Sequence, residues 1–449
     1  MFDVAVVGGG VVGCAVARRF TLQGARVLLL EKGADILSGA SKGNSAILHT
    51  GFDAPAGSLE LACMQAGYAE YLDIREKLGL PLLESGAIVA AWTEEQLAKL
   101  PGIIAAAHAN GVAEVRAIAR DEILRREPEL SPNVLGGVLV PGEFLIDPWS
   151  APLAYLLQAL ENGAEVRRGT EVLSGAFDGV WRLETSTGEV RAKTVINCAG
   201  VYGDVVDERL TGARGFTIKP RKGQFVVFDK AAAKLLRTIL LPVPEAHTKG
   251  IVLTPTVFGN LLVGPTAEEQ DRSGRADTDE AALRMLVDKA VDMLPPLRGM
   301  KVTACYAGLR PATEEKSYRV RHEADQNYIV LGGIRSTGLT AALGLAQHAW
   351  ALYGGTHQAV AAPVWPQAPR LAEFLVRDWQ APGYGEIICH CELVTRREIE
   401  AALAGPLPAQ DAGGLKRRTR AGMGRCQGFY CHASLAALTA GRFTERPHD

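Results

Sequence analysis

No apolar run in this chain approaches the roughly 18–20 residues that a membrane-crossing helix needs. Charge of one sign is also missing: 48 Lys and Arg stand against 50 Asp and Glu, a formal net charge of −2. The totals therefore supply no field for nucleic acid or for an anionic membrane. The N-terminus enters a strand pattern at once, without a basic, then apolar, then small-residue leader. Internal repeats and low-complexity tracts are absent too. A cytoplasmic location is expected, with peripheral membrane association left open. In that compartment the eight cysteines should be thiols or metal ligands rather than disulfides. Cys14, Cys63, Cys198 and Cys305 lie in apolar surroundings and read as small buried residues.

What is present is a soluble globular composition, 47% hydrophobic and 22% charged. At 449 residues the chain exceeds one compact core, so two or three domains are expected. Asp3–Val7 reads as a buried strand, Gly8-Gly9-Gly10-Val11-Val12-Gly13 as a turn into a helix, and Arg26–Leu30 as a second strand closed by Glu31. Three glycines alone are a weak signal, but here strand, helix and acidic residue surround them. Gly8 permits the tight turn, Gly10 lets a pyrophosphate approach the backbone, and Gly13 lets the helix pack closely. The helix N-terminus offers unpaired N–H groups to phosphates, and Glu31 can accept ribose hydroxyls.

A nicotinamide enzyme would continue directly into further βαβ units. This chain instead has a small-residue loop, Ser38 to Gly51, whose backbone N–H groups can wrap a second phosphate and an isoalloxazine ring. A second GxGxxG in a strand–helix frame is lacking, which argues against a dedicated NAD site. Further on, Gly86–Trp92, Gly223–Asp229, Gly250–Pro255, Asn260–Gly264 and Tyr328–Gly333 read as strands, and Leu339–Leu352 as a late helix.

The remaining four cysteines, Cys389, Cys391, Cys426 and Cys431, form two close pairs near the C-terminus. Such a thiolate cage suits iron–sulfur or zinc. The one-residue gap between Cys389 and Cys391 is unusual for zinc. Lys416, Arg417, Arg418, Arg420 and Arg425 crowd the second pair, as cations stabilising an anionic [2Fe–2S] centre would.

Several pieces together resemble FAD-dependent oxidoreductases of the D-amino-acid oxidase superfamily, over about residues 1–355. They are the glycine turn with Glu31, Gly43-Asn44-Ser45 leading to Leu48-His49-Thr50-Gly51, Asp147-Pro148 and Gly169-Thr170-Glu171-Val172. Asn197-Cys198-Ala199-Gly200, Gly308-Leu309-Arg310-Pro311 and Gly332-Gly333 with Gly338-Leu339-Thr340 complete the set. Within the superfamily the chain looks most like anaerobic glycerol-3-phosphate dehydrogenases and L-2-hydroxyglutarate dehydrogenases. The tail, with Thr419-Arg420-Ala421-Gly422-Met423-Gly424-Arg425-Cys426-Gln427, is similar to the bacterioferritin-associated ferredoxin module.

The resemblance implies an α/β fold. A Rossmann-like FAD-binding domain (1–80, 141–215 and 301–358) would carry an inserted mixed-sheet substrate domain (81–140 and 216–300). A linker (359–385) and a small helical [2Fe–2S] module (386–449) would follow. It places FAD on Gly8, Gly10, Gly13, Glu31, Lys32, Ser41, Asn44, Ser45, Val172, Ala199, Gly200, Gly333, Gly338, Leu339 and Thr340. The cluster falls on Cys389, Cys391, Cys426 and Cys431. His49 matches a histidine beside the flavin that can accept a hydroxyl proton. Arg310 matches an arginine that grips a substrate carboxylate. Arg335 is a second candidate anion ligand, and His247, Lys222 and Tyr306 are further candidates for the roof of the site.

The activity so implied is oxidation of a small anionic alcohol, a 2-hydroxy acid or a polyol phosphate such as glycerol 3-phosphate. Electrons would leave through the cluster to a partner protein or quinone. An amino- or imino-acid dehydrogenase uses the same hydride geometry and stands as an alternative. A non-catalytic electron-transfer subunit is an alternative of another class.

Overall fold

The computed structural model describes residues 1–244, 250–271 and 276–443. Two large sheets organise the first part of the chain. In the first, of eight strands, Phe2–Val7 and Val27–Leu30 pair in parallel. Phe2–Val7 also pairs in parallel with the end of Gly188–Asn197, which in turn pairs with Tyr328–Gly332. Val4–Val7 and Val27–Leu30 are buried throughout, as strands covered on both faces must be. Helices Val11–Leu22, Ser150–Glu161 and Gly338–Tyr353 cover one face, and a core containing Trp181, Leu183, Leu210, Phe216 and Tyr328 fills the other. Gly188–Asn197 is the longest strand of this sheet. Its first half forms a meander with Val172–Phe177 and Trp181–Thr185, in which buried and exposed side chains alternate.

The second sheet has nine strands and mixed direction. Ala87–Ala91, Arg116–Ala119 and Gly136–Val140 supply one end, and Arg221–Phe228, Ile239–Pro242, Val252–Pro255 and Leu261–Gly264 the other. The expected boundary of this unit at residue 300 requires correction. Val302–Arg310 pairs along its length with Arg221–Phe228, from Phe228 opposite Val302 to Arg221 opposite Arg310. The sheet thus continues past 300 and ends on Arg310. Cys305 on this strand is exposed, contrary to expectation; Cys14, Cys63 and Cys198 are buried.

Residues 359–385 form a strap rather than a free linker. Val360 N donates to Leu22 O, Ala368 N to Leu78 O and Glu373 N to Val257 O, so the strap is bonded to both sheet units. The C-terminal module then forms a hairpin, Ile387–Cys389 with Val394–Thr395, and helices Arg396–Ala402, Ala412–Thr419 and His432–Thr439. Thr395 and Glu398 cap the first of these reciprocally. Ile388, Val394, Ile399, Leu415 and Leu435 give the module its own core.

Among the described residues, no helix is long and apolar enough to cross a membrane.

Candidate active site and cluster module

A cleft of about 1580 Å³ runs between the two sheets, and many of the expected site residues line it. At its nucleotide end the glycine turn has the shape a dinucleotide needs. A β-carbon on Gly13 would lie 1.9 Å from Gly8 O. Gly8, at φ +111°, would bring one within 2.6 Å of Cys198 O. Glu31 lies under the turn: its carboxylate accepts from Gly9 N at 2.6 Å and Gly33 N at 2.7 Å. Burial pushes its pKa up, against those two amides. Ser41 Oγ accepts from Val11 N at 3.0 Å, which sets a hydroxyl at the helix N-terminus where a phosphate is favoured. Lys32 Nζ lies 3.1 Å from the centre of the Tyr202 ring.

Ser45, Val172, Ala199, Gly200 and Gly333 also line the cleft. The Val172 carbonyl already accepts from Arg209 Nη1 at 2.7 Å. Asn44 lines it too, and its side chain shapes the loop by donating to Ser41 O and accepting from Ala46 N. At the far end, Gly338 and Leu339 begin a helix of 16 residues whose N-cap, Thr337, makes no capping bond. Its leading amides and positive dipole end suit negative charge on a reduced flavin. These glycine clearances, loop amides and helix termini fit FAD.

Thr340 departs from the expected role: it is buried and does not line the cleft. Its Oγ1 accepts from His49 N at 3.0 Å, so it positions the histidine strand rather than a ligand.

His49 directly follows a two-residue strand, Ile47–Leu48, that pairs with Phe144–Ile146. That pairing brings in a residue the sequence reading missed. Glu143, fully buried, has Oε2 2.7 Å from His49 Nδ1. Its Oε1 accepts from Thr50 N at 2.7 Å and Thr50 Oγ1 at 2.8 Å. A carboxylate held by donors on Oε1 is an acceptor toward the ring as well, so the Nδ1 proton faces Glu143 and Nε2 is the basic nitrogen. Pro141-Gly142 before Glu143 signals a turn, but nothing local marks the carboxylate as a histidine partner 94 residues away.

Arg310 is carried to the cleft by the last strand of the second sheet. Burial, helped by Arg221, pulls its pKa to about 10, so it remains charged at neutral pH. Its Nη2 donates to Thr266 O at 3.0 Å, and among the described residues it makes no ion pair. A mostly buried guanidinium without a counter-anion is costly and suits an anionic ligand. Arg335 lines the same cleft and likewise has no ion pair among the described residues.

Two roof candidates fall elsewhere. Lys222 is drawn to Glu268 at 3.0 Å and Asp279 at 3.6 Å, away from the cleft lining. Tyr306 stacks on Phe225 and donates to Asn44 O at 2.9 Å, a support of the flavin-side loop. His247 lies outside the described residues.

In the module the four thiols stand as two facing pairs, Cys391 with Cys426 and Cys389 with Cys431. Among the described residues no three His, Cys, Asp or Glu side chains converge for a single ion. Backbone N–H groups of Tyr430, Gly428 and Phe429 turn toward Cys426 and hold its pKa down. Burial and the neighbouring Cys389 push Cys431 up to about 12. Four cysteines, one ringed by amide donors, fit an anionic iron–sulfur cluster.

The basic residues expected to screen the cluster are mostly committed elsewhere. Arg418 pairs with Asp35 of the first sheet unit at 2.7 Å, and Arg425 with Asp229 of the second at 2.9 Å. Arg417 donates to Ile36 O at 2.9 Å. Arg420 bonds Glu392 at 2.8 Å and lies 4.0 Å over the Phe258 ring. They dock the module.

Comparison with known proteins agrees with this geometry. The FAD dependent oxidoreductase family profile matches residues 3–352, and the BFD-like [2Fe-2S] binding domain profile matches residues 387–440. The chain is 30% identical to a glycerol 3-phosphate dehydrogenase of Caloramator mitchellensis, over 98% of this chain and 94% of that one. It is 26% identical to the human mitochondrial L-2-hydroxyglutarate dehydrogenase, over 59% of this chain and 61% of that one. Among solved structures, the dithionite-reduced L-alpha-glycerophosphate oxidase of Mycoplasma pneumoniae with FAD bound superposes with a TM-score of 0.75. The identity there is 28%, covering 81% of this chain and 97% of that one. The glycine turn, the cleft and the four-cysteine tail thus belong to one scheme, and the chain is a member of the FAD dependent oxidoreductase family carrying a C-terminal BFD-like [2Fe–2S] domain.

Proposed function

We propose that this enzyme is a dehydrogenase for a small anionic secondary alcohol, a 2-hydroxy acid or a polyol phosphate such as glycerol 3-phosphate. The observation that carries the reading is the pairing of unlike groups on one cleft: a histidine backed by a buried carboxylate, and a mostly buried arginine with no ion pair among the described residues. Bound FAD supplies the hydride acceptor and, with the cluster, the route by which electrons leave one at a time. The protein's own groups do the rest. Arg310 holds the substrate anion, with Arg335 as a second cation on the same wall. His49 Nε2 takes the hydroxyl proton as the carbinol C–H bond breaks, and Glu143 stabilises the imidazolium that results. The positive end of the helix beginning at Gly338 favours the reduced state.

The relatives favour the alcohol reading, since the 30%-identical protein is a glycerol 3-phosphate dehydrogenase over nearly its whole length. A second reading, an amino- or imino-acid dehydrogenase, draws on the 26% identity and TM-score of 0.68 with the glycine oxidase of Geobacillus kaustophilus. Anaerobic mixing of the FAD-loaded protein with a panel of hydroxy acids, polyol phosphates and amino acids tests both. Bleaching of the flavin by an anionic alcohol with a carbonyl product supports the first. Bleaching only by amino acids, with ammonia released, overturns it in favour of the second.

A further inference from the structure

The two sides of the Asp35–Arg418 contact serve cofactors at opposite ends of the chain, and we propose that this pair positions FAD, so that flavin affinity depends on the cluster module being docked. The segment from Glu31 to Leu37 grips the glycine turn from both sides. Gly9 N donates to Glu31 Oε2 at 2.6 Å, while Gly9 O accepts from Leu37 N at 3.0 Å. Leu37 holds a left-handed backbone at φ +61°, a conformation that a leucine adopts only when its surroundings enforce it.

The module supplies much of that enforcement. Arg418 donates to both oxygens of Asp35, at 2.7 and 2.8 Å. Gln410 N donates to Asp35 Oδ2 at 3.2 Å, and Arg417 to Ile36 O at 2.9 Å. Arg168 completes the ring, reaching Asp35 at 3.2 Å and Pro408 O at 2.6 Å. The apposition leaves no spare room, since a β-carbon on Gly414 would lie 1.8 Å from Asp35 Oδ2. Asp35 is fully buried, and a buried carboxylate that loses one partner pays the whole desolvation penalty.

Undocking therefore leaves Asp35 with Arg168 and the Ile36 amide only, and releases the enforced turn at Leu37. The glycine turn, bonded through Gly9 to that segment, loses its support, and the pyrophosphate site loosens. Coupling of this kind is reciprocal: bound FAD favours the docked module by the same factor. A chain that fails to assemble its cluster module would thus hold flavin poorly.

The test is the FAD dissociation constant of the full chain after reversible flavin removal, read by flavin fluorescence. D35N, R418M and their double variant are compared with R425A, which breaks the module's ion pair to Asp229 and touches nothing near the glycine turn. D35N and R418M should each weaken FAD by roughly tenfold, and the double variant should be no worse than the weaker single one. R425A should stay within about twofold of the parent. R418K, which keeps the charge but not the bidentate grip, should fall between, and carries the test if R418M does not fold. Unchanged FAD affinity in D35N and R418M overturns the proposal. So does an equal loss in R425A, which would reveal general destabilisation only.

Discussion

His49 and Glu143 face each other at 2.7 Å across the join between two short strands, one residue partly open to the cleft and the other fully buried. The carboxylate sets the imidazole's tautomer and holds the ring in place, as an orienting acid does in hydrolytic triads. Replacing Glu143 by Gln should leave the fold intact but lower the rate of flavin reduction by roughly 10- to 100-fold. Replacing His49 by Asn should cost on the order of 10²–10⁴. Anaerobic stopped-flow bleaching at 450 nm, a wavelength typical of oxidised flavins, reads both. Rates equal to the parent in Glu143→Gln would remove the dyad from the mechanism.

Arg310 gives a prediction with two opposite signs. Arg310→Met should weaken binding of an anionic substrate by about 1.5–3 kcal/mol, the worth of hydrogen bonds to a charged group. The ligand-free chain should lose no thermal stability, because the substitution removes a buried cation with no ion pair among the described residues. Substrate titration and a melting curve on the same sample check both halves.

The cluster can be separated from the flavin. Cys426→Ser, with FAD supplied in excess, should lose iron and sulfide and stop reduction of an external acceptor, while substrate still bleaches the flavin. Metal analysis together with the bleaching trace decides it.

Acid should act on the docking pair. Burial pushes Asp35 upward, but the paired Arg418, with Arg168, outweighs it and holds the carboxyl below the usual carboxylate range. A carboxylate depressed in the folded state stabilises above its unfolded pKa, near 3.9, and that contribution is lost as pH falls through the folded value. The difference in melting temperature between the parent and D35N should be flat from about pH 8 to pH 5. Below about pH 4 it should shrink.

Gly8 and Gly13 of the turn leave no room for a side chain. Gly13→Ala would drive a methyl to 1.9 Å from Gly8 O, so the variant should purify without flavin, if it folds at all. Absorbance of the purified chain shows the outcome.

These residues also show what a linear reading can reach. Gly8, Gly10, Gly13, Glu31 and the loop to His49 were legible because a strand, a turn and a helix are adjacent in sequence, and close backbone approach selects glycine. Glu143 was not, because the strand that follows it, Phe144–Ile146, pairs with Ile47–Leu48 over a long chain separation, and a lone carboxylate after Pro-Gly reads as a surface turn. Lys222 was misplaced because its strand was recognised but its facing acids, Glu268 and Asp279, were not. The basic run at 416–425 was noticed, but the acids that pair with Arg418 and Arg425 were not. Charge density shows in sequence, but the buried carboxylates that answer it, Asp35 and Asp229, lie hundreds of residues upstream.

The strap and the module have a mechanical consequence. Arg418 fastens the module to one sheet unit, while Arg425 and the Arg420–Phe258 contact fasten it to the other. The module therefore braces the two walls of the cleft at a fixed spacing, as a tie-beam holds opposite walls. Wide hinge opening would first have to tear out that brace, so traffic of reactant and product falls to small local movements at the mouth.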